Sequence, residues 1–356
     1  MTGHAKYRVR AGLLILLPAV VLLAACTGAS HIGLMQVIAI LLDKMGIHLA
    51  VPYSEGMANV LMQIRLPRVC LGMLVGAGLA LAGACLQGLF RNPLADPVLT
   101  GISSGASLSA VVVIVVMSSG PALSRGLLAS FSGPYLLNIA TFAGACCSSI
   151  LVFRLARTEG RTQVAALLLA GLGMNALCNA LTGLVTYSAN NEQLRSISFW
   201  LMGSLGGANW DTVVSLLPFI GLPVALLPGS ARSLNAWSLG EAEAMHLGYD
   251  VRRLKARIII LTTLSVGAAV AVAGIIGFIG LVVPHILRTL SGSDFRRLLP
   301  DSVLLGASLL VLADVVSRTI LAPAELPIGI VTAILGAPVF LVLLYRQKRT
   351  MQGSIA

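Results

Sequence analysis

RIIILTTLSVGAAVAVAGIIGFIGLVVPHILRTL, residues 257–290, is an apolar run of 34 residues with no acidic or basic side chain between Arg257 and Arg288 except His285. As a single helix rising 1.5 Å per residue it would be about 50 Å long, too long for a hydrocarbon core of about 30 Å. A break near Gly274 and Gly277 makes it two membrane spans, 257–274 and 275–290. Glycine tolerates the backbone conformations that such a break requires.

Outward from this run, further apolar stretches lie at 11–29, 69–90, 98–118, 133–153, 164–187, 212–229, 302–320 and 327–345, which brings the expected number of spans to ten. The segment Ile32–Val51 is also apolar, but Asp43, Lys44 and His48 interrupt it and Gly46 weakens its end. It reads as an excursion outside the membrane. The 356 residues are 57% hydrophobic and 10% charged, against about 25% charged in an ordinary soluble domain. The expected fold class is therefore an all-α integral membrane protein, a single domain over 1–356 in a lipid bilayer.

A net charge of +11 would suggest nucleic acid in a soluble protein. In a membrane protein the distribution of Lys and Arg matters more. With the N-terminus in the cytoplasm and ten spans, eighteen of the 24 Lys and Arg residues fall on the cytoplasmic side. Six remain on the other side: Lys44, Arg65, Arg68, Arg125, Arg195 and Arg318. Both termini are expected in the cytoplasm, and nucleic acid is not an expected partner. Leu23-Ala24-Ala25-Cys26 imitates a lipoprotein signal, but cleavage there would leave nine spans and put the basic C-terminus outside, so an uncleaved first span is expected.

Six cysteines lie in or at the edge of apolar spans without CxxC spacing, and they read as small hydrophobes rather than metal or redox groups. No phosphate-binding loop, GxSxG, HExxH or paired-carboxylate motif is present, so no ATP or peptide hydrolysis by this chain itself is expected. Among the few polar groups inside the spans, Asp314 and Arg318 stand four residues apart on one helical face. Either they pair internally or Arg318 is presented to an acidic partner. Asn175 and Asn179 also stack one turn apart, as interhelical glue or as the wall of a polar passage. His285, after Pro284, reads as a packed group. The connection from Ser230 to Lys255 contains LGEAEAMHLG, residues 239–248, whose acidic start and glycine stop predict a short helix. It could be a surface connector or a docking element.

Several segments together resemble the permease subunits of type II ABC importers for iron siderophores, haem and cobalamin. They are QIRLPR at 63–68, QGLFRNPLADP at 87–97, GISSGA at 101–106, GFIGLVVPH at 277–285, AELPIG at 324–329 and GAP at 336–338. The resemblance covers nearly the whole chain. It implies ten helices per subunit, a second copy of the chain with the passage at their interface, two cytoplasmic ATPases carrying ATP and Mg, and a periplasmic binding protein. It also implies alternating access in a bacterial inner membrane. Arg65, Arg68 and Arg318 match arginines that receive acidic residues of the binding protein. Glu241, Ala244, Leu247 and Gly248 match the coupling helix, within a loop at about 238–250. Asn92, Leu94, Thr162 and Gln163 match the cytoplasmic gate, and the span bearing Asn175 and Asn179 would line the passage. The run 184–195 with 199–207 looks most like the haem permeases, so haem is the expected cargo, no cofactor is expected on this chain, and a ferric siderophore or cobalamin is the alternative. A secondary transporter with Asp314 as ion carrier is the alternative of a different class.

Overall fold

A computed structural model describes residues 3–28, 31–118, 133–158 and 161–353. Among these the chain is helical, apart from a two-residue antiparallel ladder pairing Arg157–Thr158 with Arg161–Thr162. The helices are α1 (Gly3–Cys26), α2 (Leu34–Lys44), α3 (Glu55–Val60), α4 (Leu66–Phe90), α5 (Ile102–Ser118), α6 (Gly133–Leu155) and α7 (Val164–Tyr187). There follow α8 (Asn191–Leu201), α9 (Trp210–Leu226), α10 (Ala231–Leu239), α11 (Glu241–His246) and α12 (Val251–Ala273). The last three are α13 (Ile279–Ser291), α14 (Phe295–Thr319) and α15 (Ile328–Gly353). Among the described residues seven helices are long and apolar enough to cross a membrane, and three shorter apolar ones cover 102–118, 279–291 and 328–342.

The bundle is arranged around α4, which is buried along nearly its whole length between α14, α12, α13 and α9. Small residues allow this. A Cβ on Gly76 would stand 2.3 Å from the Gly306 carbonyl oxygen of α14, and one on Gly83 would stand 1.9 Å from that of Gly280 in α13. Backbones in contact gain dispersion energy that lipid cannot supply to a bulkier pair. In contrast α7 buries only Leu167, Gly171 and Cys178, and most of its surface is open.

The expected break of the 257–290 run is present. α12 stops at Ala273, Gly274 adopts φ +69°, and Phe278 also takes the left-handed region at +67° before α13 begins at Ile279. The following span differs from a full helix. Residues 274–278 are non-helical and only the 13 residues of α13 are helical, about 20 Å at 1.5 Å per residue. Irregular backbone at membrane depth survives only where protein surrounds it. Here Gly203 and Gly329 both lie against the Ile275 carbonyl oxygen and Gly336 abuts Phe278.

Another boundary differs markedly. The expected span at 69–90 begins much earlier, because α3, a π-helical turn at Leu61–Arg65 and α4 run on continuously from Glu55 to Phe90. The 32–51 excursion folds as α2, whose 11 residues reach about 17 Å, too short to cross. Its Val37 and Ile40 pack beside Ala25 and Leu61 at the end of α1.

Candidate functional site

The end of the bundle where α4 starts holds the three arginines expected to receive a partner. Arg65 and Arg68 are buried within this chain, and Arg318 is half-buried with its side chain turned inward. Arg65 is 3% exposed and Arg68 is 8%, and the Arg318 side chain is 7% exposed. Arg65 Nη1 donates to the carbonyl oxygens of Ala25 at 2.6 Å and Cys26 at 2.9 Å, while Arg318 Nη2 donates to that of Ala24 at 2.6 Å. These are among the last carbonyls of α1, which have no partner within their own helix and carry the negative end of its dipole. Two guanidinium groups thus cap one helix.

Arg68 is the hub. Its Nε donates to both Asp314 carboxylate oxygens at 3.0 and 3.1 Å. Its Nη1 and Nη2 donate to Glu325 Oε1 and Oε2 at 2.8 and 3.0 Å. The Asp314–Arg318 pair expected from spacing is present but looser, at 3.6 Å. Glu325, in the loop before α15, was not singled out from the sequence. Its side chain is 46% exposed, so it is the part of the cluster that water reaches. The hydrogen bonds from Arg68 hold its carboxyl below the ordinary carboxylate range. Its loop is fixed by Leu326, whose N–H donates to the Ser317 carbonyl at 3.0 Å.

Along α7 the two asparagines have different environments. Asn175 Nδ2 donates to the Val98 carbonyl at 2.9 Å and its Oδ1 accepts from the Ser104 hydroxyl at 2.6 Å. It therefore ties α7 to the turn before α5 and to α5 itself. Asn179, one turn on, is exposed among Ala176, Ala180 and Gly183.

The far end of α4 carries the remaining candidates. Arg91 closes α4 in the left-handed region at φ +50°. Asn92 is exposed, and its Oδ1 accepts from the Leu94 N–H at 3.0 Å in a tight turn. Thr162 lies in the two-residue ladder opposite Arg157, and the Gln163 N–H donates to the Ala156 carbonyl at 3.2 Å just before α7. α11 forms where the sequence predicts a short helix. Gly248, at φ +82°, and the Tyr249 N–H bond to the Ala244 carbonyl terminate it, as a left-handed glycine after a helix does. Its residues divide: Ala244 is buried at 0% exposure, whereas Met245 and Leu247 are 54% and 60% exposed. Any partner surface on α11 is therefore built from its exposed residues, Met245 and Leu247 among them, with Ala244 on the inner face. A cavity of about 310 Å³ brings Arg91, Gln163, Trp237 and Glu241 together, whereas Asn92 and Leu94 lie outside its lining. No group of three or more His, Cys, Asp or Glu placed to hold a metal occurs among the described residues.

The sequence pattern of the FecCD transport family matches residues 14–346. The hemin transport system permease protein HmuU of Yersinia pestis is 47% identical over 301 residues, 84% of this chain and 87% of HmuU. The vitamin B12 import system permease protein BtuC of Escherichia coli O9:H4 is 42% identical over 288 residues, 81% of this chain and 84% of BtuC. Among solved structures, an ABC transporter in an inward-facing conformation superposes with a TM-score of 0.80 at 33% identity, covering 95% of this chain and 99% of that one. A buried glycine-packed bundle, a broken span at Gly274 and a family match over nearly its whole length together make the chain a multi-pass membrane permease of the FecCD transport family.

Proposed function

We propose that the chain is the membrane-spanning subunit of an ATP-driven importer that carries haem across a bacterial inner membrane. The observation that carries the choice of cargo is the 47% identity to a hemin permease across 84% of the chain. Two copies would enclose the passage along the open faces of α7, with Asn179 on its wall. A periplasmic haem-binding protein would dock at the Arg65, Arg68, Arg318 and Glu325 end, and two cytoplasmic ATPases, holding ATP and Mg, would dock on α11 at the other. The division of Lys and Arg supports this orientation, with both termini cytoplasmic. In one cycle the loaded binding protein docks, ATP draws the two ATPases together, and α11 on each copy transmits that motion to the segments at 92–94 and 162–163.

Asp314 is a poor ion carrier in this arrangement. It is held by Arg68 and stands beside Arg318, so a proton or sodium ion would have to displace a guanidinium. That favours ATP as the energy source. Cobalamin is the second reading, because a vitamin B12 permease is 42% identical over 81% of the chain. The test is uptake into proteoliposomes containing the chain, its ATPase and its binding protein, with haem, cobalamin and a ferric siderophore compared side by side. Accumulation of haem above the other two supports the cargo; accumulation of cobalamin or the siderophore in its place overturns the cargo and leaves the importer reading intact.

A further inference from the structure

Trp237 belongs to the last turn of α10 and is 3% exposed. Its indole N–H donates to the Leu89 carbonyl at 3.0 Å, in the last turn of α4. Two cations flank the ring: the Arg91 guanidinium is 4.2 Å from its centroid and the Lys255 ammonium 4.7 Å. Lys255 in turn binds Glu241 Oε1 at 2.9 Å, and Glu241 is the first residue of α11. One rigid ring therefore connects α10, the end of α4, the start of α12 and, through Lys255, the start of α11. It also lines the cavity of about 310 Å³ that Gln163 and Glu241 share.

These contacts stiffen the junction. An indole has two rotatable bonds, so a displacement at either end of it is not absorbed by the side chain. A shift of α10 against α4 would strip a buried N–H of its only kind of partner, a hydrogen-bond acceptor, and unstack two cations held over an aromatic face. Arg91 also occupies a backbone region that non-glycine residues rarely adopt.

We propose that Trp237 is a positioning residue that carries displacement of α11 to the end of α4, and so to the gate segments beside Gln163. The proposal rests on the reading of α11 as the ATPase-docking helix. It assigns to Trp237 the coupling of ATP hydrolysis to uptake, and gives Lys255 and Arg91 the role of holding the ring.

The test uses the complete reconstituted transporter with Ala242→Cys, an exposed small residue of α11, which reports contact with the ATPase by cross-linking. Trp237→Leu is expected to keep the cross-link and ATP hydrolysis while lowering uptake by about tenfold. Trp237→Phe keeps a ring for the two cations and is expected to restore part of the uptake, which a purely space-filling role would not require. If Trp237→Leu fails to assemble, Arg91→Gln, at an exposed side chain, is expected to give the same split between hydrolysis and uptake. Uptake and hydrolysis falling in parallel, or normal uptake in Trp237→Leu or Arg91→Gln, would overturn the proposal. Absence of the cross-link in the otherwise unaltered chain would remove the docking reading on which it stands, and the proposal with it.

Discussion

Arg68 and Glu325, 257 residues apart in the chain, meet through two parallel hydrogen bonds of 2.8 and 3.0 Å, the geometry of a guanidinium fork on a carboxylate. The same guanidinium holds Asp314 through Nε. Glu325 is the exposed acid of the cluster and Asp314 the buried one. An acidic side chain arriving from a docking protein would have to compete with Glu325 for this fork.

Glu325→Gln should therefore tighten docking of the binding protein on the proposed outer face. Neutralising the internal competitor leaves the fork available to the incoming carboxylate and removes a like charge beside it, so the dissociation constant should fall by about threefold to tenfold. The gain should shrink as salt is added. Titration of the binding protein onto nanodisc-embedded permease measures it, and unchanged or weaker docking would show that Glu325 does not compete.

The same pair makes a pH prediction. The Glu325 carboxyl is held below its ordinary range in the folded state, so its stabilising contribution is complete above its unfolded pKa and is lost as pH falls through the depressed folded value. Below about pH 4 the unaltered chain should lose thermal stability more steeply than Glu325→Gln, which has no carboxylate to protonate at that position. Melting curves in detergent across that range decide it, and parallel curves would contradict it.

Removing Asp314 should cost more than removing Glu325. Asp314→Ala leaves Arg68 and Arg318 buried without their shared carboxylate, a defect of about 3–5 kcal/mol in comparable buried pairs. A double change, Arg68→Met with Asp314→Leu, should recover part of that loss, because it removes the stranded Arg68 charge and leaves only Arg318, which keeps its bond to the Ala24 carbonyl. Thermal unfolding of the variants in detergent measures this; a double variant no more stable than Asp314→Ala would refute the explanation.

Close helix packing gives a further contrast. Gly83→Ala and Gly76→Ala would drive a methyl group into backbone oxygens 1.9 and 2.3 Å away, at a cost of at least about 1–3 kcal/mol. Gly173→Ala on the open face of α7 meets no atom within 4 Å and should leave the stability of the single chain unchanged. Detergent melting temperatures of the three variants test this. A marked loss of stability in Gly173→Ala, or none in Gly83→Ala, would refute the packing of α4.

Much of the fold was legible because lipid imposes a length on apolar runs. The run at 257–290 had to break, and Gly274 is where it does. The short helix at α11 was legible from its acidic start and the stop at Gly248. The outer cluster was not. Arg65 and Arg68 read as residues of a connection, since a charge normally marks the end of a span. In the fold they lie inside one continuous helix and are compensated by Asp314, Glu325 and the end of α1. Those partners are set by tertiary packing and have no local signature; only the Arg318 spacing to Asp314 could be seen. Trp237 carries no sequence signature for a related reason. An aromatic in a polar connector reads as surface, and its Leu89, Arg91 and Lys255 contacts require the folded chain. Ala244 belonged to the motif that marked α11, yet its side chain turned out to be on the buried face.

The central claim is that this permease moves its cargo only as part of an ATP-driven assembly. The most direct measurement is haem accumulation in proteoliposomes with the ATPase, the binding protein or ATP omitted in turn. The account predicts uptake with all three present and none when any one is missing. Uptake that continues without ATP, driven by an imposed proton or sodium gradient, would contradict it.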